Sequence, residues 1–325
     1  MDGSATSRNR TSSLTPASSQ SLTVDRPPSR QAAIGLLVAA ALLWSLGGVL
    51  IKLAQWHPLG IASVRSSVAA LTIALIVRLR YRRWPHVLPQ SAAGWGAAVG
   101  YAGTVILFVL ATKLTAAANA IVLQYTAPLY VAIGGSMFLG ERLRMSEWAL
   151  LGLMLGGTAL FFAGELTPSG MLGNLAGIAS GIAMAAMTLC IRVARDGSSL
   201  EALVTGNLLA AAAGVWLWPD LPHLDGRTLT ALALLGIVQL GIPYVLFARA
   251  LRSVRAIEAV MLTMLEPIAN PLWVMLALRE HPSGWALVGG ALVVGSTAAR
   301  AVLSYSRSSG VESSASSVSR GGTSS

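Results

Sequence analysis

The sequence predicts an all-α integral membrane protein with ten transmembrane helices, arranged as two five-helix repeats of inverted topology. Three observations lead to this fold class. The 325 residues are 54% hydrophobic and only 11% charged, whereas soluble domains carry about a quarter charged residues. One pattern of residues occurs twice along the chain, and equivalent loops of the two copies carry opposite loads of basic residues.

The apolar runs define the ten helices, because a spanning helix needs roughly 20 predominantly apolar residues. Their expected bounds are about 34–53, 58–77, 94–112, 115–138 and 146–163, followed by 171–191, 201–218, 229–248, 256–277 and 284–303. They group into a first repeat, 34–163, and a second repeat, 171–304. Residues 1–31 and 305–325 are rich in small polar residues and are expected to be disordered cytoplasmic tails.

The repeat keeps a constant offset of 139 residues over its best-preserved part. The matching residues are Phe108 with Phe247, Ala111 with Ala250, Ala120 with Ala259, Leu123 with Leu262, Pro128 with Pro267 and Glu141 with Glu280. Two copies of one hydrophobic unit in a membrane chain are typical of secondary transporters.

The basic residues predict the direction of each helix, since Lys and Arg resist translocation across the membrane. With a cytoplasmic N-terminus, 18 of the 23 basic residues fall in cytoplasmic segments, and the C-terminus is cytoplasmic too. The loop at 78–83 carries four arginines, whereas its second-half equivalent at 220–227 carries only Arg227. The second copy is therefore predicted to cross the membrane upside down.

Several motifs carry a resemblance to a known family. They are Leu42-Leu43-Trp44-Ser45 with Lys52, Arg65, Ala120 to Leu123, Pro128, Leu139-Gly140-Glu141-Arg142, Leu265-Glu266-Pro267 and Glu280. Over roughly 34–304 the chain resembles the EamA-type transporters of the drug/metabolite transporter (DMT) superfamily, although Arg279 stands where that family usually has Gly. The resemblance implies a carrier in the cell inner membrane, often an efflux protein for amino acids or related compounds. It implies no particular substrate.

The two repeated prolines predict where a binding site lies. Pro128 and Pro267 fall near the middle of the fourth and ninth helices, where proline removes a backbone donor and obstructs the preceding turn. Symmetric breaks at the bilayer midplane predict a cavity lined by freed backbone groups. A kink that only shapes packing is the alternative.

Glu266 is the one carboxylate predicted near the centre of the bilayer, and its equivalent in the first copy is Ala127. An ionised carboxylate there is costly and must face a cavity or a partner. It is expected to bind an amine or to take up a proton during the cycle, unless it only satisfies the backbone of its broken helix. Asn270 and Trp273 follow on the same helical face.

Three further residues complete the candidate substrate-binding set. Arg65 lies inside the second helix, where it would hold a substrate carboxylate, pair with a neighbouring helix or extend to the membrane surface. Trp44 lies mid-helix rather than at an interface, and Tyr125 is one of several polar residues of the fourth helix. The whole set is Trp44, Arg65, Tyr125, Pro128, Glu266, Pro267, Asn270 and Trp273.

Other classes of function find little support in the residues. The sequence has no glycine-rich phosphate loop, one cysteine, and four histidines that all fall in predicted loops, so no cofactor, metal site or catalytic group is expected. The net charge of +10 is divided among loops, which argues against nucleic-acid binding. An exporter of cationic drugs or nucleobases and a non-transporting scaffold subunit remain alternatives.

Glycines four residues apart bear on the oligomeric state. Such pairs occur at Gly96 and Gly100, at Gly152 and Gly156, and through Gly173, Gly177 and Gly181. They are expected to allow close helix packing within the bundle, with homodimer formation as the second interpretation.

Overall fold

The computed structural model of the chain describes residues 27–54, 56–115, 117–163, 170–194, 198–220, 225–269, 273 and 284–300. Within these residues every element of regular secondary structure is helical, as the sequence predicts. The two expected tails lie outside the described residues, apart from 27–31.

The helices follow one another through short connections. In the first half of the chain they are α1 (Arg30–Trp44), α2 (Gly47–Leu53), α3 (Pro58–Tyr81), α4 (Ala92–Leu114), α5 (Ala117–Gln124), α6 (Ala127–Phe138) and α7 (Met145–Phe161). In the second half they are α8 (Met171–Val193), α9 (Ser198–Ala212), α10 (Gly226–Leu234), α11 (Ile242–Ala250) and α12 (Ala256–Thr263). A 3₁₀ segment, Val215–Asp220, follows α9, and a π-helical segment, Leu235–Gly241, joins α10 to α11. Residues 266–269 and 284–300 are also helical.

Five of the described helical stretches are long and apolar enough to cross a membrane. They are Leu59–Tyr81, Ala92–Leu114, Asn119–Phe138, Met171–Val193 and Gly226–Ala250. Three shorter stretches, Arg30–Trp44, Met145–Phe161 and Ser199–Ala212, are also apolar. Large apolar side chains such as Leu79 and Phe138 point outward from the bundle. So much exposed apolar surface is stable in lipid and unfavourable in water.

The helix ends coincide with residues whose chemistry starts or stops a helix. Ser29, Ser91 and Asp225 cap α1, α4 and α10, and each side chain accepts a hydrogen bond from the backbone N–H three residues later. Helix α3 begins at Pro58, whose missing N–H is not needed in a first turn. It ends at Arg82, whose backbone is left-handed with φ of 57°.

Helices α4 and α8 pack along each other, and glycine allows their close approach. A Cβ at Gly100 would lie 2.7 Å from the backbone nitrogen of Met187, and one at Gly173 would lie 2.5 Å from the backbone at the end of α4. These glycines serve packing within the bundle, as their spacing predicts. Gly152 and Gly156 show no such close packing, because a Cβ at either would meet no atom within 4 Å among the residues that the structure describes.

Three predicted helices are less regular than their apolar patterns suggest. The first, expected at 34–53, is interrupted at Ser45–Leu46 between α1 and α2. The seventh, expected at 201–218, is α-helical only to Ala212 and then becomes 3₁₀. The eighth contains the π-helical segment. The apolar pattern of the sequence does not reveal these changes. The side chains stay apolar along each helix, while the hydrogen-bonding pattern of the backbone changes.

Candidate functional site

Two helices of the bundle are broken at equivalent positions. Residues 125–126 separate α5 from α6, and residues 264–265 separate α12 from the helical turn 266–269. The two breaks are related by the 139-residue offset of the sequence repeat. Pro128 and Pro267 are buried, and each is the second residue of the helix that restarts. The breaks leave backbone polar groups that must pack on protein or line a cavity.

An aromatic cluster lies beside these breaks in the core. Trp44 ends α1, and its ring centroid lies 4.8 Å from that of Tyr244 and 5.5 Å from that of Phe247, both on α11. The ring of Tyr101, on α4, lies 4.7 Å from that of Tyr244. These edge-on and tilted contacts join three helices, and all four rings are buried.

Arg65 projects from α3 into the same cluster and is buried rather than extended to the surface. Its guanidinium interacts electrostatically with the hydroxyl groups of Tyr101 and Tyr244. The Tyr101 hydroxyl donates a 2.8 Å hydrogen bond to Asn207 Oδ1 on α9. Within the described part of the chain, Arg65 Nε has no hydrogen-bond partner. Buried polar groups of this kind are uncommon and mark places where a ligand or water is accommodated.

Glu266 adjoins the same cluster at the break after α12. Its carboxyl group is hydrogen-bonded to the hydroxyl of Tyr125, which lies in the equivalent break after α5. It also interacts electrostatically with Tyr244. The two broken helices therefore place an acidic group and a hydroxyl group next to each other at their breaks.

Tyr244 connects the predicted site residues, although the sequence reading did not select it. It contacts Trp44 through its ring and interacts with the ionisable groups of Arg65 and Glu266. A signal for it was present, because by the repeat offset Tyr244 stands where the first copy has Val105. The same kind of difference between the copies singled out Glu266.

Trp273 lies beside the break between α1 and α2. Its indole Nε1 donates a 2.7 Å hydrogen bond to Ser45 Oγ, and that hydroxyl donates to the backbone oxygen of Leu42 at 2.7 Å. A cleft of about 360 Å³ opens here, lined by Leu46, Leu50, Leu234, Val238 and Trp273. The predicted site residue Asn270 lies outside the described residues.

Other polar residues of the fourth predicted helix join helices rather than the aromatic cluster. Asn119 donates a 3.1 Å hydrogen bond to Asn174, and Gln124 donates a 2.7 Å hydrogen bond to Ser180. Both bonds fix α5 against α8. Of the predicted site residues, the structure brings Trp44, Arg65, Tyr125 and Glu266 together around Tyr244, and it places Trp273 at the neighbouring cleft.

A connected cluster of ion pairs lies at the N-terminal end of α1. Arg30 Nη2 donates to both carboxylate oxygens of Glu258 at 2.8 Å. Arg300 Nη2 lies 3.9 Å from Glu258 Oε2, and its Nη1 lies 3.0 Å from Glu147 Oε1. Arg255 pairs with Glu147 as well. The side chains of both glutamates and of Arg300 are almost completely buried, so these charges depend strongly on one another.

Glu141 extends this ion-pair cluster to α8 and adds a second contact to α12. Its Oε1 lies 3.2 Å from Arg192 Nε at the end of α8, and its Oε2 accepts a 2.9 Å hydrogen bond from the backbone N–H of Ala256. Glu141 therefore forms a salt bridge at a helix end. Its counterpart Glu280 lies outside the described residues.

The comparisons with known proteins agree with this architecture. Segments 31–163 and 171–299 each match the EamA-like transporter family. The chain belongs to this family. An uncharacterized transporter of Archaeoglobus fulgidus is 30% identical to this EamA-family chain over 205 residues, which is 59% of this chain and 69% of the relative. The resemblance stated from the motifs is thereby confirmed, and the chain is a multi-pass membrane transporter.

The fold of this EamA-family chain also occurs in a solved structure. A crystal structure of another protein superposes with a TM-score of 0.73 at 23% sequence identity, covering 85% of this chain and 99% of that one. Among the residues that the structure describes, no group of three or more His, Cys, Asp or Glu side chains could hold a metal ion.

Proposed function

We propose that this chain is a secondary transporter that exports amino acids or related small metabolites by alternating access. The observation that carries the proposal is the convergence of Arg65 and Glu266 on one buried aromatic cluster. Arg65 interacts with Tyr101 and Tyr244, and Glu266 interacts with Tyr125 and Tyr244. A buried cation and a partly buried carboxyl group next to shared tyrosines match the carboxylate and the ammonium group of a zwitterion.

The proposed topology has ten spans in two inverted repeats, 34–163 and 171–304, with both termini in the cytoplasm. The described helices overlap each of the ten predicted spans, which supports the count. The equivalent breaks at 125–126 and 264–265 support the repeat. Inverted repeats of this kind place a substrate site at the midplane between broken helices.

Alternating access requires that one end of the site is closed while the other is open. In the proposed topology the ion-pair cluster lies at the cytoplasmic end, and the cleft beside Trp273 lies nearer the other surface. Between the two levels runs α1, whose 15 residues span about 21 Å from Arg30 to Trp44. The structure then corresponds to a state closed toward the cytoplasm, and export requires the ion-pair cluster to open.

Glu266 is the proposed proton-coupling residue. It lies ten residues along from the start of α12 at Ala256, which is about 15 Å at the rise of a helix and half the hydrocarbon thickness. A carboxyl group at that depth changes its protonation state only when its surroundings change, as alternating access provides. The substrate's own gradient is the alternative source of energy.

An exporter of cationic drugs is the second candidate, and one observation favours it. Tyr125 and Tyr244 lie next to Glu266, and Trp44 packs on Tyr244, so aromatic rings that suit a cation lie close to the carboxyl group. Arg65 carries a positive charge in the same cluster and repels a bare cation. A molecule that also carries a carboxylate avoids this repulsion, so the zwitterion fits better.

Flux in proteoliposomes tests the proposal. The panel is radiolabelled leucine, leucinamide, adenine and ethidium, each with and without a pH gradient. Leucine should show saturable flux that the pH gradient stimulates. Arg65→Gln should raise the KM for leucine about tenfold or more and leave that for leucinamide, which has no carboxylate, unchanged. Arg227→Gln, at an exposed position, is the matched control.

Three outcomes would count against specific parts of the proposal. Absence of flux for every compound would contradict transport and favour the scaffold alternative. Flux of ethidium or adenine without leucine would replace the zwitterion by the other substrate classes. Full stimulation by the pH gradient in Glu266→Gln would remove Glu266 as the proton site.

A further inference from the structure

Gln239 occupies an unusual stretch of backbone next to the site. It lies in the π-helical segment Leu235–Gly241, which interrupts the eighth predicted helix. A π-helical turn changes the direction in which its side chains project and is frequent at functional sites. The side chain of Gln239 is only 8% exposed, so its amide group must find hydrogen bonds inside the protein.

The amide of Gln239 is held in one orientation. Its Nε2 donates to the backbone oxygen of Trp44 at 3.3 Å, and this oxygen belongs to the last residue of α1, before the break. The amide also packs on Gly47, where a Cβ would lie 3.0 Å from Nε2. The backbone oxygen of Trp44 can only accept a hydrogen bond, so the atom of Gln239 that faces it must be the amino group. The other end of the amide is therefore the oxygen Oε1.

The other end of that amide is not used within the described residues. Gln239 Oε1 is buried and has no hydrogen-bond partner there, and the same is true of Trp44 Nε1. An acceptor and a donor without partners therefore lie on neighbouring residues at the break between α1 and α2. Buried polar atoms without partners are rare in folded proteins.

The apolar cleft of about 360 Å³ adjoins this position. Val238 precedes Gln239 and lines the cleft, and Leu46, which precedes Gly47, lines it on the other side. The lining side chains are all apolar or aromatic, and the volume lies in the range of small-molecule pockets. A group that fills such a space is itself apolar, because a polar group would lose its hydrogen bonds to water.

We propose that Gln239 Oε1 accepts a hydrogen bond from an N–H group of the transported molecule while an apolar group of that molecule fills the adjoining cleft. The proposal rests on the proposed transport function and adds a substrate class to it. The class is amino compounds with a large apolar side chain, in preference to small or polar ones. Gln239 is then a specificity-determining residue.

The test compares two substitutions in the full-length chain. Gln239→Met keeps the length of the side chain and removes the acceptor. Gln124→Met makes the same change at a glutamine whose amide is bonded to Ser180 between α5 and α8, and it controls for the loss of a buried amide. The KM and kcat of leucine, phenylalanine, serine and glycine are measured in proteoliposomes.

In the wild type, leucine and phenylalanine should have KM values at least tenfold below those of serine and glycine. Gln239→Met should raise the KM for leucine and phenylalanine about tenfold with a smaller change in kcat, and Gln124→Met should leave both within twofold. Equal KM values for the four amino acids, or an unchanged KM in Gln239→Met, would overturn the inference.

Binding separates this inference from the proposed function. Phenylalanine in excess should raise the unfolding temperature of the detergent-solubilised wild type, since a ligand that binds only the folded state stabilises it. Gln239→Met should lose most of that increase. If phenylalanine raises the unfolding temperature of the wild type but no compound shows flux, the result contradicts transport and still supports the Gln239 site. No increase with any of the four amino acids and no flux would overturn both.

Discussion

The charge on Glu258 is expected to hold the transporter closed at the ion-pair end, and Glu258→Gln should open it. The carboxylate is fully buried, accepts two 2.8 Å hydrogen bonds from Arg30 and lies 3.9 Å from Arg300. Glutamine keeps its volume and removes its charge. Loss of one partner from a buried ion pair costs about 3–5 kcal/mol, because the remaining charge is left without compensation.

The arrangement around Glu258 favours the lower end of that range. Arg30 is 31% exposed and can be rehydrated, and Arg300 keeps Glu147 at 3.0 Å. A cost of about 3 kcal/mol to the closed state corresponds to a shift of about 100-fold toward states open at this end, at tenfold for each 1.4 kcal/mol.

Cysteine accessibility measures this shift in a Cys190→Ser background. Ala132 is buried in α6, which contacts α12. In Ala132→Cys, labelling by a membrane-impermeant maleimide from the cytoplasmic side should accelerate by up to about 100-fold when Glu258→Gln is added. Ala120→Cys, buried in α5 before the break, should not accelerate from that side.

Glu201→Gln is the matched control for the loss of a buried carboxylate. Glu201 is buried and pairs with Arg83 at 2.6 Å, in a contact between the end of α3 and α9 that lies apart from the Glu258 cluster. Glu201→Gln should lower the thermal stability of the protein without accelerating the labelling of Ala132→Cys. Equal labelling in Glu258→Gln and wild type, or an equal increase in Glu201→Gln, would refute the gating role.

Three further predictions concern the site, the packing and the topology. Tyr244→Phe keeps the ring contacts and removes the hydroxyl, so the KM for leucine should rise while the unfolding temperature stays within about 2 °C; an unchanged KM would remove Tyr244 from the site. Gly100→Val should destabilise the protein by at least about 2 kcal/mol in detergent, whereas Gly152→Ala should be neutral, because only Gly100 lacks room for a Cβ. Single cysteines in the loops 78–83 and 220–227 should react from opposite sides of the membrane, and reaction from one side would contradict the inverted repeat.

The broken helices could be predicted from the sequence because their cause is local. Pro128 and Pro267 act on the turn before them, and both breaks lie within three residues of a proline. The break at Ser45–Leu46 has no proline and was not predicted. Ser45 and Leu46 are compatible with a continuous helix, and the contacts at this break come from distant residues, namely Gln239 and Trp273.

The partners of the charged residues could not be predicted, because they come from distant parts of the chain. Arg30 and Glu258 are 228 residues apart and meet only when α1 and α12 pack together. Tyr101 and Tyr244 were missed for the same reason, since a tyrosine in an apolar helix has no local feature that marks it as part of a site. The burial of Arg65 could not be predicted for the same reason, because it depends on the packing of α4 and α11 around its side chain.

Counterflow measures whether one site of the protein is exposed to the two sides of the membrane in turn. Proteoliposomes loaded with unlabelled leucine are diluted into a trace of labelled leucine without a pH gradient. A carrier accumulates the label transiently above its outside concentration, because the site brings label in and then returns to the outside occupied mostly by the excess unlabelled substrate. This overshoot is expected in wild type, and a reduced overshoot is expected in Tyr244→Phe. Equilibration of the label without overshoot, or no uptake, would contradict alternating access.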